Sequence, residues 1–111
     1  MVSLILLFYR KVYNYMIDEI INDINDVSDM FYKQKEFMGY DMLYQLIDKL
    51  IKFTQILGSK EENKEYNDKL MQCLSQALAA LEQKDIILLS DILSYDLVDL
   101  LKEIKENTLD I

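Results

Sequence analysis

The apolar residues of this chain recur at steps of three and four positions, a spacing that restricts it to helical folds. The clearest stretch places six apolar residues on one helix face: Tyr13, Ile17, Ile20, Ile24, Val27 and Phe31. The 111 residues include no proline and only two glycines, whereas a fold with many tight turns needs more of both. The sequence therefore predicts an all-α protein, an antiparallel four-helix bundle in a single domain spanning 1–111.

Glycines and capping residues predict where the helices begin and end. We expect Gly39 to stop the first helix and Asp41 to cap the second. Gly58 should end the second helix, and Asp85 should cap the fourth after a turn at Lys84. The predicted helices span about 13–37, 41–57, 61–83 and 86–106.

Residues 1–12 form an apolar N-terminal extension whose role needs a separate explanation. The run from Leu4 to Tyr9 is too short to span a bilayer. Arg10 and Lys11 follow that run, whereas a signal peptide has its basic residues before it. We therefore expect an extra helical segment that packs on the bundle. Met16 is an alternative start, because a complete helix follows it.

The charge of the chain narrows the kinds of partner it can have. The formal net charge is -8, and residues 58–111 hold 12 acidic and 6 basic residues against 8 and 6 in residues 1–57. Nucleic acids and anionic membrane surfaces both attract clustered Lys and Arg, so we expect neither as a partner. Cys73, the single cysteine, suggests a reducing compartment and hence a cytoplasmic protein.

The residue types that carry most enzyme chemistry are missing or badly placed. The chain has no histidine, so the commonest general base and metal ligand is absent. The acidic stretch from Asp23 to Asp29 lacks the central glycine of a calcium loop. Cys73 lies on the apolar side of its helix, so we expect it to be buried and unreactive. We therefore predict no enzyme activity, no catalytic residue, no metal, no cofactor and no small-molecule substrate.

The fourth predicted helix has more apolar residues than one face can hold. Its core positions fall within about 80° of arc: Ile86, Leu89, Leu93, Leu97, Leu100 and Ile104. A second apolar stripe lies on the opposite side and consists of Ile87, Leu88, Tyr95 and Val98. This stripe could be covered by the N-terminal segment 2–9, by a second copy of the chain or by a different protein, or some of its side chains could simply be exposed. We predict that the stripe binds protein, as a two-fold homodimer contact joined by residues near the N-terminus.

Two stretches carry a resemblance to known proteins. They read GYDMLYQLIDKLIKFTQIL and ALEQKDIILLSDILSYDLVDLLKEI, within residues 36–106. They resemble small uncharacterised all-helical proteins of low-GC Gram-positive bacteria. This resemblance implies a helical fold and implies no activity.

We thus expect a small acidic cytoplasmic module that acts by binding protein, including itself. The alternative is an acidic inhibitor or immunity-type protein that mimics nucleic acid and blocks a nucleic-acid-binding protein. The dependence of partner binding on ionic strength distinguishes these two hypotheses. Salt strongly weakens the binding of a charged mimic, whereas it has much less effect on binding through an apolar stripe.

Overall fold

The computed structural model describes residues 3–108, which form four long helical rods within an envelope of 52 × 21 × 19 Å. The first three are α1 (Ser3–Tyr32), α2 (Glu36–Leu57) and α3 (Lys64–Glu82), with a short 3₁₀ turn, Glu61–Asn63, before α3. The fourth, the C-terminal rod, runs without a break through α4 (Ile86–Asp91), a π-helical segment (Ile92–Leu97) and α5 (Val98–Thr108). The predicted all-α four-helix bundle is confirmed. Residues 1–2 and 109–111 of the predicted domain lie outside the described part.

The predicted inner faces supply most of the core. All six apolar residues of the α1 face are buried, as are Leu43, Leu46, Leu50, Phe53 and Leu57 on α2. Ile47 is only partly buried. On α3 the core continues through Leu70, Cys73, Leu74, Ala77 and Ala80, whereas Leu78 is exposed.

The first turn differs from its prediction because no glycine forms it. α1 ends at Tyr32, and Gln34 adopts a left-handed φ of 59°. The Lys35 amide donates to the Met30 carbonyl at 2.9 Å, and the Gln34 amide to the Phe31 carbonyl at 3.0 Å. This is the Schellman arrangement, which usually has glycine at the left-handed position. The prediction that Gly39 stops the first helix and Asp41 caps the second is therefore wrong, since both lie inside α2.

The second glycine and Asp85 behave as predicted. α2 ends at Leu57, directly before Gly58. At the last turn, the Asp85 side chain accepts a hydrogen bond from the Leu88 amide at 3.0 Å, which caps α4. Lys84 has a φ of 57° and repeats the Schellman arrangement seen at Gln34.

The predicted N-terminal extension is helical but does not fold back onto the bundle. It forms the first turns of α1 and is continuous with the rest of that helix. Leu4, Ile5 and Phe8 are 80%, 71% and 64% exposed. The expectation of an extra packing segment is therefore wrong, because the helix simply continues past its neighbours. No helix in residues 3–108 is long and apolar enough to cross a membrane.

The π-helical segment changes which side of the C-terminal rod faces the core. In a regular α-helix Leu101 would lie about 120° from Leu89, yet both are essentially fully buried. A π turn holds one extra residue, which removes about 100° of rotation and returns Leu101 to the core side. Leu100, predicted in the core, is consequently only partly buried.

Candidate functional site

A groove of about 550 Å³ runs between the C-terminal half of α1 and the first half of the C-terminal rod. It lies where the rod passes antiparallel to α1, an orientation that the Ser28–Ser94 contact and the Lys105–Asp18 ion pair establish. The groove has the volume of many ligand-binding pockets. Its lining combines apolar and polar side chains: Asn25, Ser28, Asp29, Phe31, Tyr32, Ile86, Ile87, Ser90, Asp91, Ser94 and Tyr95.

Two contacts fix the walls of this groove relative to the core. The hydroxyls of Ser28 and Ser94 lie 2.9 Å apart and connect α1 to the π-helical segment. Phe31 packs edge-to-face on Tyr40 of α2, with ring centroids 5.3 Å apart. The tight packing of this ring requires Gly39, since a Cβ there would lie 2.7 Å from the Phe31 ring. The groove is thus built on ordered side chains and not on a loop.

The π-helical segment contributes Ser94 and Tyr95 to the groove. Leu93 and Leu97, on either side of them, are each 1% exposed, so the segment is anchored in the core. Tyr95, between these anchors, is 66% exposed and lies at the groove. π turns within α-helices are frequent at functional sites, which directs attention to this part of the rod.

The structure divides the four predicted partner-binding residues into three environments. Ile87 and Tyr95 line the groove, and Ile87 is 78% exposed. Leu88 is 44% exposed but is not part of the groove lining. Val98 is 8% exposed and belongs to the core, so its placement on a surface stripe is wrong. The extra residue of the π segment rotates Val98 inward, from about 180° to about 80° relative to Leu89.

Sequence reasoning missed the α1 side of the groove. Tyr32 is 88% exposed and lines it, together with Asn25 and Ser28. The available signal was the position of Tyr32 directly after Phe31, one step off the core face at the end of the helix. Because the first helix was predicted to continue to residue 37, Tyr32 was not recognised as an end residue.

The acidic residues of α1 are largely engaged in ion pairs with lysines. Lys49 of α2 contacts Glu19 at 3.0 Å and Asp23 at 2.6 Å, and these carboxylates raise the pKa of Lys49. Asp29, at the groove, pairs with Lys33 at 2.9 Å. Asp18 pairs with Lys105 at 2.8 Å. The acidic side of α1 is therefore partly neutralised within the chain.

A second groove, of about 640 Å³, lies between α2 and α3. Phe37, which is 94% exposed, lines it together with Tyr40, Tyr44 and Leu78. It is somewhat larger than the first groove, and the Phe31–Tyr40 pair connects the walls of the two. We regard the first groove as the stronger candidate because it includes the π-helical segment and two of the residues predicted from the sequence.

The potentially reactive groups within the described residues have properties that disfavour reaction. Burial, followed by the charge of Asp96, raises the pKa of the Cys73 thiol to about 11, so the thiolate is scarce at neutral pH. Burial also raises the pKa of Tyr13, whose buried hydroxyl has no hydrogen-bond partner among the described residues. Across residues 3–108, no cluster of three or more Cys, Asp or Glu side chains is placed to hold a metal ion.

Comparison with known proteins identifies a family but no activity. No curated protein matches this chain, and no solved structure matches it either. Residues 10–107 match a domain of unknown function, DUF8042. This match includes every helix of the bundle and excludes the first turns of α1. Since it covers well over half of the sequence, the chain belongs to the DUF8042 family.

Proposed function

We propose that this protein is a small, acidic, non-enzymatic module that binds protein through the groove between α1 and the C-terminal rod. One observation carries the proposal: Tyr32, Ile87 and Tyr95 are all more than 60% exposed and line a single groove. Large side chains of this kind supply most of the binding energy in protein interfaces, since an aromatic ring buries much area and loses little conformational entropy.

The rim of the groove fits this function as well. Asn25, Asp29 and Asp91 add polar groups to the lining beside the apolar residues. An apolar centre with a polar rim is the usual anatomy of a protein interface. The proposed mechanism is burial of an apolar helix face against Ile87, Tyr95 and Tyr32, with the rim excluding competing solvent.

The nucleic-acid mimic remains the alternative, but the ion pairs of α1 favour the binding module over it. A mimic needs an array of unpaired carboxylates to imitate phosphates. Asp18, Glu19, Asp23 and Asp29 instead contact lysines of the same chain. We further propose a cytoplasmic location, on the single unpaired cysteine, and relatives among low-GC Gram-positive bacteria, on the resemblance of residues 36–106.

Replacing Tyr95 tests the proposed function. Tyr95→Asp should weaken association by about 2 kcal/mol or more, because it places a charge at the apolar centre of the groove. Light scattering gives the mass in solution, and quantitative pull-down gives partner binding. Ile51→Asp is the control, since Ile51 lies on α2 outside both grooves and is an exposed apolar side chain, at 42%.

A core substitution on the same rod checks that the effect is local. Leu93, two positions earlier, is 1% exposed. Leu93→Asp should unfold the domain, whereas Tyr95→Asp should leave the far-ultraviolet circular dichroism unchanged. If Tyr95→Asp and Ile51→Asp have the same effect on association, the groove is ordinary surface and the proposed function is wrong.

A further inference from the structure

The exposed first turns of α1 are an apolar surface that the groove proposal leaves unexplained. Leu4, Ile5, Leu7 and Phe8 are between 46% and 80% exposed. We call these four residues the overhang. From Tyr9 onward, α1 contacts other parts of the chain. Lys60 lies over the Tyr9 ring, 4.5 Å from its centroid, and Tyr13 packs edge-to-face on Phe53. The overhang thus projects past the end of the bundle.

The overhang cannot reach the groove of its own chain. Both belong to α1, which is continuous from Ser3 to Tyr32. At 1.5 Å per residue, Leu7 lies about 27 Å along the helix from Asn25 and about 37 Å from Tyr32. Any contact between the overhang and a groove must therefore join two copies of the chain.

Charge makes a second copy a suitable occupant. Residues 1–17 contain Arg10 and Lys11 and no acidic residue, whereas residues 18–111 contain 20 acidic and 10 basic residues. The groove lining includes Asp91 and Asp29, of which Asp29 is paired with Lys33 at 2.9 Å, and it includes no lysine or arginine. An apolar segment followed by Lys11 is thus complementary to a groove whose lining combines apolar side chains with Asp91.

The positions on α1 also permit both contacts at once. In a regular helix Leu7, Lys11, Asn25 and Asp29 fall on one strip about 40° wide. Asp18 lies midway along this strip, and Lys105 neutralises it at 2.8 Å. Two copies placed antiparallel about this midpoint bring each overhang to the other groove. The arrangement is closed and two-fold, the commonest symmetry of homodimers.

We propose that the groove binds the overhang of a second copy of this chain, forming a reciprocal two-fold dimer in which the α1 helices are antiparallel. The proposal rests on the proposed function of the groove and names its occupant. A membrane surface is the competing occupant of the overhang. It is the weaker candidate because residues 18–111, with twice as many acidic as basic residues, are repelled by anionic lipid.

Two variants that each introduce one additional cysteine test the geometry directly. Leu4→Cys places a thiol on the overhang, and Tyr32→Cys places one at the groove. The native Cys73 is buried with its pKa raised to about 11, so it should not react with a short bismaleimide at pH 7. We expect covalent dimers when the two variants are mixed and equilibrated, and none from either alone. Cross-linking of either variant with itself, or no cross-linking in the mixture, overturns the proposal.

The double variant, with Leu4→Cys and Tyr32→Cys in one chain, distinguishes a closed dimer from an open head-to-tail assembly. A reciprocal two-fold dimer has both its contacts satisfied and should give covalent dimers only. A head-to-tail assembly would instead give a ladder of larger products, since each copy would offer an unpaired overhang and groove. A ladder therefore contradicts the two-fold arrangement.

Replacing a residue of the overhang tests the dimer proposal separately from the proposal that the groove binds protein. Leu7→Asp should raise the dimer dissociation constant at least about 10-fold, because it removes apolar contact and adds a charge near an acidic rim. Ile51→Asp, on α2 outside both grooves and similarly exposed at 42% against 46%, should leave that constant unchanged. Sedimentation equilibrium measures both.

The remaining outcomes distinguish failure of the dimer proposal from failure of the proposed function of the groove. If Leu7→Asp leaves the mass unchanged while Tyr95→Asp still weakens association, the groove binds protein but not the overhang. If neither variant alters association, both proposals fall. Vesicles of phosphatidylglycerol and phosphatidylcholine test the competing occupant. Vesicle binding that Leu7→Asp abolishes, without any change in mass, assigns the overhang to a membrane and overturns the dimer.

Discussion

At the scale of single residues, the two glycines serve different purposes, although the sequence presents them alike. Gly58 follows the last residue of α2 with an ordinary right-handed φ of -74°. Gly39 lies inside a helix, where glycine costs roughly 1 kcal/mol relative to alanine. It is required there by the Phe31 ring, which leaves no room for a Cβ. A glycine can thus indicate a close contact as readily as a helix end.

Cys73 provides a prediction at the same scale. Cys73→Ser should lower the free energy of unfolding by about 1–2 kcal/mol at pH 7, since it places a hydroxyl in an apolar site. Denaturant titration of both proteins measures the difference. Rapid labelling of the native thiol at pH 7 would contradict the burial on which this prediction depends.

The raised pKa of Cys73 also predicts how that difference changes with pH. The thiol ionises near 9.0 when unfolded and near 11 in the folded protein. Between these values the unfolded chain loses the proton first, so the stabilising effect of the neutral thiol is complete below pH 9 and disappears as pH rises towards 11. The difference in unfolding free energy between the native protein and Cys73→Ser should therefore become smaller as pH rises from 9 towards 11.

At the scale of helices, the π-helical segment is the feature that most affects the candidate site. One extra residue between Ile92 and Leu97 keeps Leu89, Leu93, Leu97 and Leu101 all in the core. The same residue moves Val98 inward and leaves Tyr95 at the surface. Part of the apparent surplus of apolar positions on the fourth helix is thus explained by the π turn. It rotates the residues that follow it, so that some of the surplus positions face the core.

Deletion of Asp96 tests this account of the C-terminal rod. Removing one residue from a π turn should restore regular α-helix and leave the downstream core residues facing inward. We expect the deletion variant to remain folded and to unfold cooperatively. Unfolding monitored by circular dichroism measures this. Deleting Asp48, also exposed but within the regular helix α2, should instead turn Leu50, Phe53 and Leu57 by about 100° and unfold the protein. If the two deletions destabilise the protein equally, the extra residue of the π turn is needed for folding and this account of the C-terminal rod is wrong.

At the scale of the whole molecule, α1 is the element that connects the other parts. It contacts α2 along most of its length, from the Tyr13–Phe53 pair to the Phe31–Tyr40 pair. It contacts the C-terminal rod from Ser28 to Asp18. It also forms one wall of the groove and carries the overhang. Changes at its two ends should therefore have separable consequences.

Two truncations test this division of α1. In dilute solution, where the proposed dimer is dissociated, removing residues 1–8 should change the stability of the monomer little, since Leu4, Ile5, Leu7 and Phe8 are exposed within one chain. Starting the chain at Met16 also removes Tyr13, which is 4% exposed and packs on Phe53. We expect that variant to lose about 3 kcal/mol or more, as for deletion of a buried aromatic side chain. Thermal unfolding compares the two, and equal losses would mean that the overhang contributes to the fold.

The sequence alone determines the fold class and most of the core. The residues of the α1 face were all assigned correctly from their spacing, because a periodic apolar face must be buried whatever it packs against. The Asp85 cap and the end of α2 at Gly58 follow from local chemistry and were predicted for the same reason. The buried state of Cys73 follows from its position on an apolar face.

Only the tertiary structure decided where the candidate site lies and which residues form it. The π-helical segment shifts the register of the residues after it, so the 100° repeat of a regular helix could not reveal that Val98 is buried. The Schellman turn at Gln34 has no glycine to mark it, which hid the exposed Tyr32 at the end of α1. The groove exists because two helix segments distant in sequence lie side by side, and that proximity depends on how the rods pack.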